Sequence, residues 1–286
     1  MDGTPTRTCG AELREPSCLS RSIFTGPIMN EPAPPPFPDD ATASKMSLGA
    51  RLLNVFAAPG DVFEEVRAAQ PAAANWLVPV LVSCVAGVAA VFVMFSQPAV
   101  MQQMREKQEQ QLDKLVASGK MNAEDKQRAE AGIERLGTTL IKVSGSVGAV
   151  VGNFAWLLIA ALVLKLFGRL AFQAPIAYPK ALEIAGLAAM ISVLGGIVQM
   201  LLVLVTGSLF VSLGPALLIQ DFDAANKMHL ALASVNIMTL WYLGVLAVGL
   251  AKLSRGGFAK AALWLFSLWG AFRVVAIFAG LAASGM

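Results

Sequence analysis

The chain has 286 residues, 56% of them hydrophobic and 14% charged, with a mean hydropathy of +0.63. Soluble domains carry roughly a quarter charged residues, and a single soluble core of this length cannot hide that much apolar surface, so the bilayer must act as solvent. A net charge of +3 leaves no footprint for a nucleic-acid partner, and the lone histidine, His229, excludes a multi-histidine metal site.

Residues 1–45 mix Arg, Ser, Thr and Gly with a proline run, Glu31-Pro32-Ala33-Pro34-Pro35-Pro36-Phe37-Pro38-Asp39-Asp40. This composition offers too little apolar surface to offset chain entropy, which predicts a disordered Pro-rich tail. A polyproline ligand is the sharper alternative. Cys9 and Cys18 lie in this tail without the pattern of a disulfide-stapled domain, and Cys84 falls in the first apolar segment as a small hydrophobe. No apolar run that would serve as a secretory leader precedes residue 76.

Organisation begins at Ser47. Leu48, Leu52, Val55 and Phe56 share one helical face. Pro59-Gly60 ends that helix, and Asp61 with Glu64 three residues later has the form of a capping box. Residues 46–71 therefore form two amphipathic helices, which either lie along the membrane interface or pack beneath the helical bundle.

Five apolar segments follow, Trp76–Phe95, Val143–Leu164, Ala181–Thr206, His229–Ala251 and Ala261–Ala283, each near the ~20 residues that cross a hydrocarbon core. The fold class is all-α, a polytopic transmembrane bundle of about five spans. Lys165, Arg169 and Lys180 in one short loop, and Lys252, Arg255 and Lys260 in another, have no accompanying acid. The 207–228 connection instead carries Asp221 and Asp223 against Lys227. Basic short loops stay cytoplasmic, which puts the N-terminus inside and the C-terminus outside. Arg51 and Arg67 before the first span agree.

The 96–142 connection then falls outside. It holds seven acids and eight bases in a helical pattern broken at Gly119 and Asn122, which predicts a solvated helical hairpin with i,i+4 ion pairs.

The candidate intramembrane polar residues are Arg273, Asn153, Ser192, Glu183 and Asn236. A central arginine costs ~2.5–3.5 kcal/mol on the insertion scale, and the ten Leu, Ile, Val and Phe residues of 261–283 return ~3–6 kcal/mol, so the segment still inserts. Arg273 lies roughly 18 Å from the cytoplasmic end of its span, and Asn153 and Ser192 lie roughly 16 Å along theirs. Arg273 is read either as an anion, headgroup or pathway contact, or as an arginine that snorkels or bonds to Asn153. Glu183 is read as an interfacial ion pair near Lys165, Lys180 and Lys252, against a proton-coupling carboxylate. Asn236 and Gln199 suit interhelical hydrogen bonds, and His229 suits an interface position. Small residues repeat every fourth position at Ser144, Gly148 and Gly152, and at Ala276, Gly280 and Ser284, which predicts close helix packing within the chain, with self-association as the alternative. No serine-hydrolase elbow, phosphate loop or zincin motif occurs, so no catalytic, cofactor-binding or metal-binding residues are expected and the protein is read as a non-enzyme.

Two stretches resemble the Yip1 family, in its bacterial branch. One is Leu52-Leu53-Asn54-Val55-Phe56-Ala57-Ala58-Pro59-Gly60-Asp61-Val62-Phe63-Glu64-Glu65-Val66, similar to the helix before the family's first span. The other runs from Asp221-Phe222-Asp223 through Ala231–Asn236, Trp241 and Gly249-Leu250 to Lys260-Ala261, similar to its fourth span and flanking loops. The resemblance covers roughly 47–280 and implies five spans with a cytoplasmic N-terminus in a bacterial inner membrane. Eukaryotic relatives bind Rab GTPases, but the Asp-Leu-Tyr-Gly-Pro signature that goes with them is missing here. The expected function is a membrane scaffold or organising partner, with the lipid bilayer, other membrane proteins or its own copies as partners. A small transporter or channel component, with Arg273 and Asn153 lining a path, is the alternative.

Overall fold

The computed structural model describes residues 46–207, 213–219 and 226–279, apart from the side chains of 133–136 and 138. The Pro-rich tail, Cys9, Cys18, Asp221, Asp223, Gly280 and Ser284 lie outside the described residues.

Among the described residues the fold is entirely helical. Helices α1 (Leu48–Ala57) and α2 (Pro59–Ala68) precede five helices long and apolar enough to cross a membrane. These are α3 (Ala74–Met94), the Thr139–Phe172 part of α5 (Ala123–Phe172), α6 (Tyr178–Thr206), α8 (Ile237–Ser254) and α9 (Phe258–Phe278). Helix α4 (Pro98–Ala117) and the first part of α5 form the hairpin, and α7 (Lys227–Ser234) is short.

The local signals explain most boundaries. Ser47 caps α1 by accepting the Ala50 N–H at 3.2 Å. Helix α2 starts two residues before the expected Asp61 cap, because Pro59 occupies the first helical position, where its missing N–H costs nothing. Asp61 lies inside the first turn, where its charge favours the positive helix end. Gly119, at φ +70°, makes the hairpin turn, and Asn122 caps α5 through the Asp125 N–H at 2.7 Å.

The fourth span differs from the expectation. The apolar run from His229 divides into α7 and α8, with Val235 and Asn236 extended between them. Asn236 accepts the Met238 N–H at 2.9 Å and so starts a new helix, and the Ile237 N–H bonds to Leu213 O at 3.0 Å. Gly214 presses against the Val235 carbonyl, where any Cβ would collide. Hydropathy cannot see this break, because both sides of it are apolar.

Packing centres on α6, which touches α3, α5 and α8. Gly186 brings α6 against the backbone of α3 at Trp76, with an added Cβ placed only 2.7 Å from Trp76 Cβ. Gly249 of α8 likewise admits Ile184 of α6 and the Phe63 ring of α2. Val55, Val62, Phe63 and Val66 are fully buried, so α1 and α2 pack onto α6 and α8 instead of standing free on a surface. The Ser144, Gly148 and Gly152 row does not pack within the chain as expected: nothing lies within 4 Å of a Cβ at Gly148 or Gly152. Gly145, one residue round the helix, meets Val91 instead.

Candidate functional site

Helices α3 and α6 begin, and α5 and α8 end, at one end of the bundle, and buried charge collects there. The residue at its centre is Glu183, 1% exposed, in the second turn of α6. One carboxylate oxygen accepts Lys180 Nζ at 3.0 Å, and the other accepts the Ala72 N–H and, at 3.4 Å, Asn75 Nδ2. Asn75, 2% exposed in the first turn of α3, also accepts Arg51 Nη1 of α1 through Oδ1 at 3.1 Å. Arg51 Nη2 pairs with Glu65 of α2 at 2.8 Å, and Lys180 Nζ donates to the Val66 carbonyl at 2.6 Å. Two cations and two carboxylates thus close a neutral circuit through α1, α2, α3 and α6. Burying such a set is favourable only when the remaining donors and acceptors are met, and Asn75, the Ala72 N–H and the Val66 carbonyl meet them here.

A more exposed set sits beside it. Glu64 of α2 pairs with Arg67 on its own helix and with Lys252 of α8 at 3.2 Å. Hydrogen bonds from Lys252 and Arg67 hold the Glu64 carboxyl below its usual 4.5. The circuit and this tether together fasten the amphipathic helices to the bundle.

The other sequence-predicted residues fall into separate places. Asn153 and Ser192 are brought together in a groove of about 380 Å³ between α3, α5 and α6, with Ser83 and small residues such as Ala86, Gly87 and Gly196. Asn153 Nδ2 bonds back to Ala149 O at 2.7 Å and Ser83 Oγ to Pro79 O at 2.9 Å, so two of the three polar side chains satisfy their own helices. Ser192 is exposed, so the groove opens on the surface of the bundle. Arg273 is not in its lining and makes no hydrogen bond to Asn153. It stands five residues, ~8 Å, from the last residue of α9, nearer the helix end than its sequence depth implied. Its Nε and the Trp269 Nε1 one turn earlier are both buried without a hydrogen bond. Asn236 is a helix cap, not an interhelical bridge within a span. Cys84 is buried, with Sγ 4.0 Å from Val150 O.

Sequence reasoning missed the circuit itself. Arg51 carries only topological information in the linear sequence, and Asn75 and Glu65 carry none. The available signal was the spacing: Arg51 and Glu65 each lie seven residues from Ala58, the residue between α1 and α2, so a folded-back pair would align them.

The Yip1 domain family matches residues 53–280, well over half of the chain. The chain belongs to the Yip1 family. No curated protein and no solved structure matches it. The match begins within α1 and ends just beyond α9, so it takes in α2, all five spans and every carboxylate of the circuit. This Yip1 protein is therefore an integral membrane protein, and its described buried ion pairs lie at one end. Among the described residues, no group of three His, Cys, Asp or Glu side chains has the arrangement of a metal site.

Proposed function

We propose that this Yip1 protein is a non-enzymatic membrane scaffold or organising partner, seated in a bacterial cytoplasmic membrane with its N-terminus inside and its C-terminus outside. The observation that carries the reading is where polarity sits. The buried Asn75, Ser83 and Glu183 all lie in the first halves of α3 and α6. The rest of the buried core is mainly Leu, Ile, Val, Ala and Phe, from Leu157 and Leu164 of α5 to Leu246 and Leu250 of α8. A conduction path needs polar groups through the whole thickness, and beyond these three the described core is largely apolar, with the Tyr242 phenol of α8 among it.

Topology rests on the same end. It gathers Arg51, Arg67, Lys165, Arg169, Lys180, Lys252, Arg255 and Lys260 against Asp61, Glu64, Glu65 and Glu183, a cationic excess that favours the cytoplasmic side. The α4–α5 hairpin then projects outward as the contact surface. The transporter reading draws on the Asn153–Ser192 groove. Flux of ions and a broad solute panel in proteoliposomes separates the two. The scaffold reading expects none above protein-free vesicles. Specific flux that disappears in folded Asn153→Leu or Arg273→Leu protein would overturn it. A cysteine at Gly119 should react with impermeant reagents from outside, and one at Gly256 should not.

A further inference from the structure

The eight basic residues at the charged end divide into two groups. Arg51, Arg67, Lys180 and Lys252 each pair with a carboxylate. Lys165, Arg169, Arg255 and Lys260 are exposed and pair with no acid among the described residues. The unpaired four all belong to one side of the bundle. Phe172, in the last turn of α5, lies against Gly256 of the α8–α9 turn and beneath Lys260 Nζ, 5.0 Å from its ring centre. One turn further back Phe167 meets Trp264 of α9 at 5.5 Å. Arg169 stands three residues before Phe172 on α5, and Arg255 directly precedes Gly256, so both lie on the segments that meet at this ring. Lys165 is one turn along the same face of α5 as Arg169, 6.0 Å from the Tyr178 ring centre.

The setting of these cations identifies their counter-ion. Lys165 and Arg169 are interleaved with Leu162, Leu166 and the 65%-exposed Leu170, and Lys260 follows the 53%-exposed Phe258. Apolar side chains that open in a membrane helix face acyl chains, so the cations mark the level where hydrocarbon gives way to headgroups. Long basic side chains reach that level with their stems in the apolar layer. Arg255 ends α8 at the turn into α9, in the left-handed region at φ 54°, as Gln173 ends α5 at φ 53°.

We infer that Lys165, Arg169, Arg255 and Lys260 form a binding site for the phosphate of an anionic phospholipid headgroup, with Phe172 as its floor. The inference concerns a surface away from the circuit and stands whether the protein scaffolds or transports. Guanidinium and ammonium groups offer several donors to one phosphate, and two or more unpaired cations favour a lipid with net negative charge over a zwitterionic one.

The test uses the full chain purified in mild detergent, with phosphatidylglycerol, phosphatidylcholine and inorganic phosphate as probes, read by native mass spectrometry and by thermal midpoint. Wild type should retain phosphatidylglycerol at least fivefold more tightly than phosphatidylcholine. Arg169→Gln/Lys260→Gln should lose that preference, while Lys107→Gln/Lys120→Gln, which removes the same charge from the hairpin, should keep it. Arg255→Gly separates binding from folding: it relieves the left-handed backbone, so the protein should be at least as stable while its phosphatidylglycerol preference falls. The inference is overturned if the patch variant binds phosphatidylglycerol like wild type, or if the hairpin variant loses as much. It is also overturned if inorganic phosphate gives the same stabilisation, since the site would then serve a free anion.

Discussion

In the circuit at the end of the bundle where α3 and α6 begin, Arg51, Glu65, Lys180 and Glu183 are largely buried and link four helices. In the α4–α5 hairpin the charged side chains are mostly exposed, and most of the ion pairs run along one helix. Lys126 bonds to Asp113 across the hairpin at 2.5 Å and to Glu130 one turn on at 3.5 Å, while Arg128 lies within 4 Å of Glu124 and Asp125. The same ion-pair chemistry does different things in the two places. Where water is excluded, each carboxylate fixes the position of a neighbouring helix and its loss strands a charge. Where water is present, the pairs mainly keep a polar helix soluble and contribute ~0–1 kcal/mol each.

The largest expected effect lies at the buried end. Glu183→Ala leaves Lys180, the Ala72 N–H and Asn75 without their acceptor and should cost ~3–5 kcal/mol in reversible unfolding in mild detergent. Glu183→Gln, which keeps an acceptor oxygen, should cost less. A loss below 1 kcal/mol for the alanine variant would mean that the circuit does not hold α1 and α2 to the bundle.

Next comes the contrast between two glycines. Gly186→Val drives a side chain into Trp76 and should cost ~1–3 kcal/mol or more, whereas Gly148→Val, with open space around it, should stay within ~0.5 kcal/mol in the monomer. If Gly148→Val proves the more damaging, the outward small-residue row is a contact surface between copies.

A smaller effect is expected in the hairpin. Asp113→Asn should cost ~0–1 kcal/mol, and that cost should shrink as salt rises. The Lys126 ammonium, held above its usual range chiefly by its hydrogen bond to the Asp113 carboxylate, should titrate lower in that variant. Salt-independent destabilisation would mean that the hairpin pair resembles the buried circuit.

The smallest effect is tied to pH. The Glu64 carboxyl is held below its usual 4.5 in the folded protein, so its tether to Lys252 contributes above that pH and is lost as acidification passes the lower folded value. The difference in thermal midpoint between wild type and Glu64→Gln should therefore be present at neutral pH and vanish in acid below 4.5. A difference that persists undiminished in stronger acid would show that Glu64 acts through packing instead of charge.

The sequence by itself determined the fold class, the number of spans and the hairpin, because each depends on local composition. Twenty apolar residues in a row have one stable solution in a bilayer, since every backbone polar group must be satisfied within the segment. The hairpin was legible from Gly119, Asn122 and the i,i+4 charge spacing for the same reason. The pairing of Glu183 with Lys180 was also within reach, being three residues apart on one helix.

The tertiary structure decided what depends on which helices touch. Arg51 meets Asn75 only because α1 folds back against the start of α3, and Asn75 meets Glu183 only because Gly186 lets α6 approach the α3 backbone. The break at Asn236 was hidden because a cap within an apolar run leaves hydropathy unchanged, and the Leu213 carbonyl that bonds beside it is distant in sequence. Arg273 and Asn153 looked like neighbours by depth, but depth fixes only one coordinate of a helix. Rotation about its axis, set by packing, sends Asn153 into the α3–α6 groove and Arg273 elsewhere.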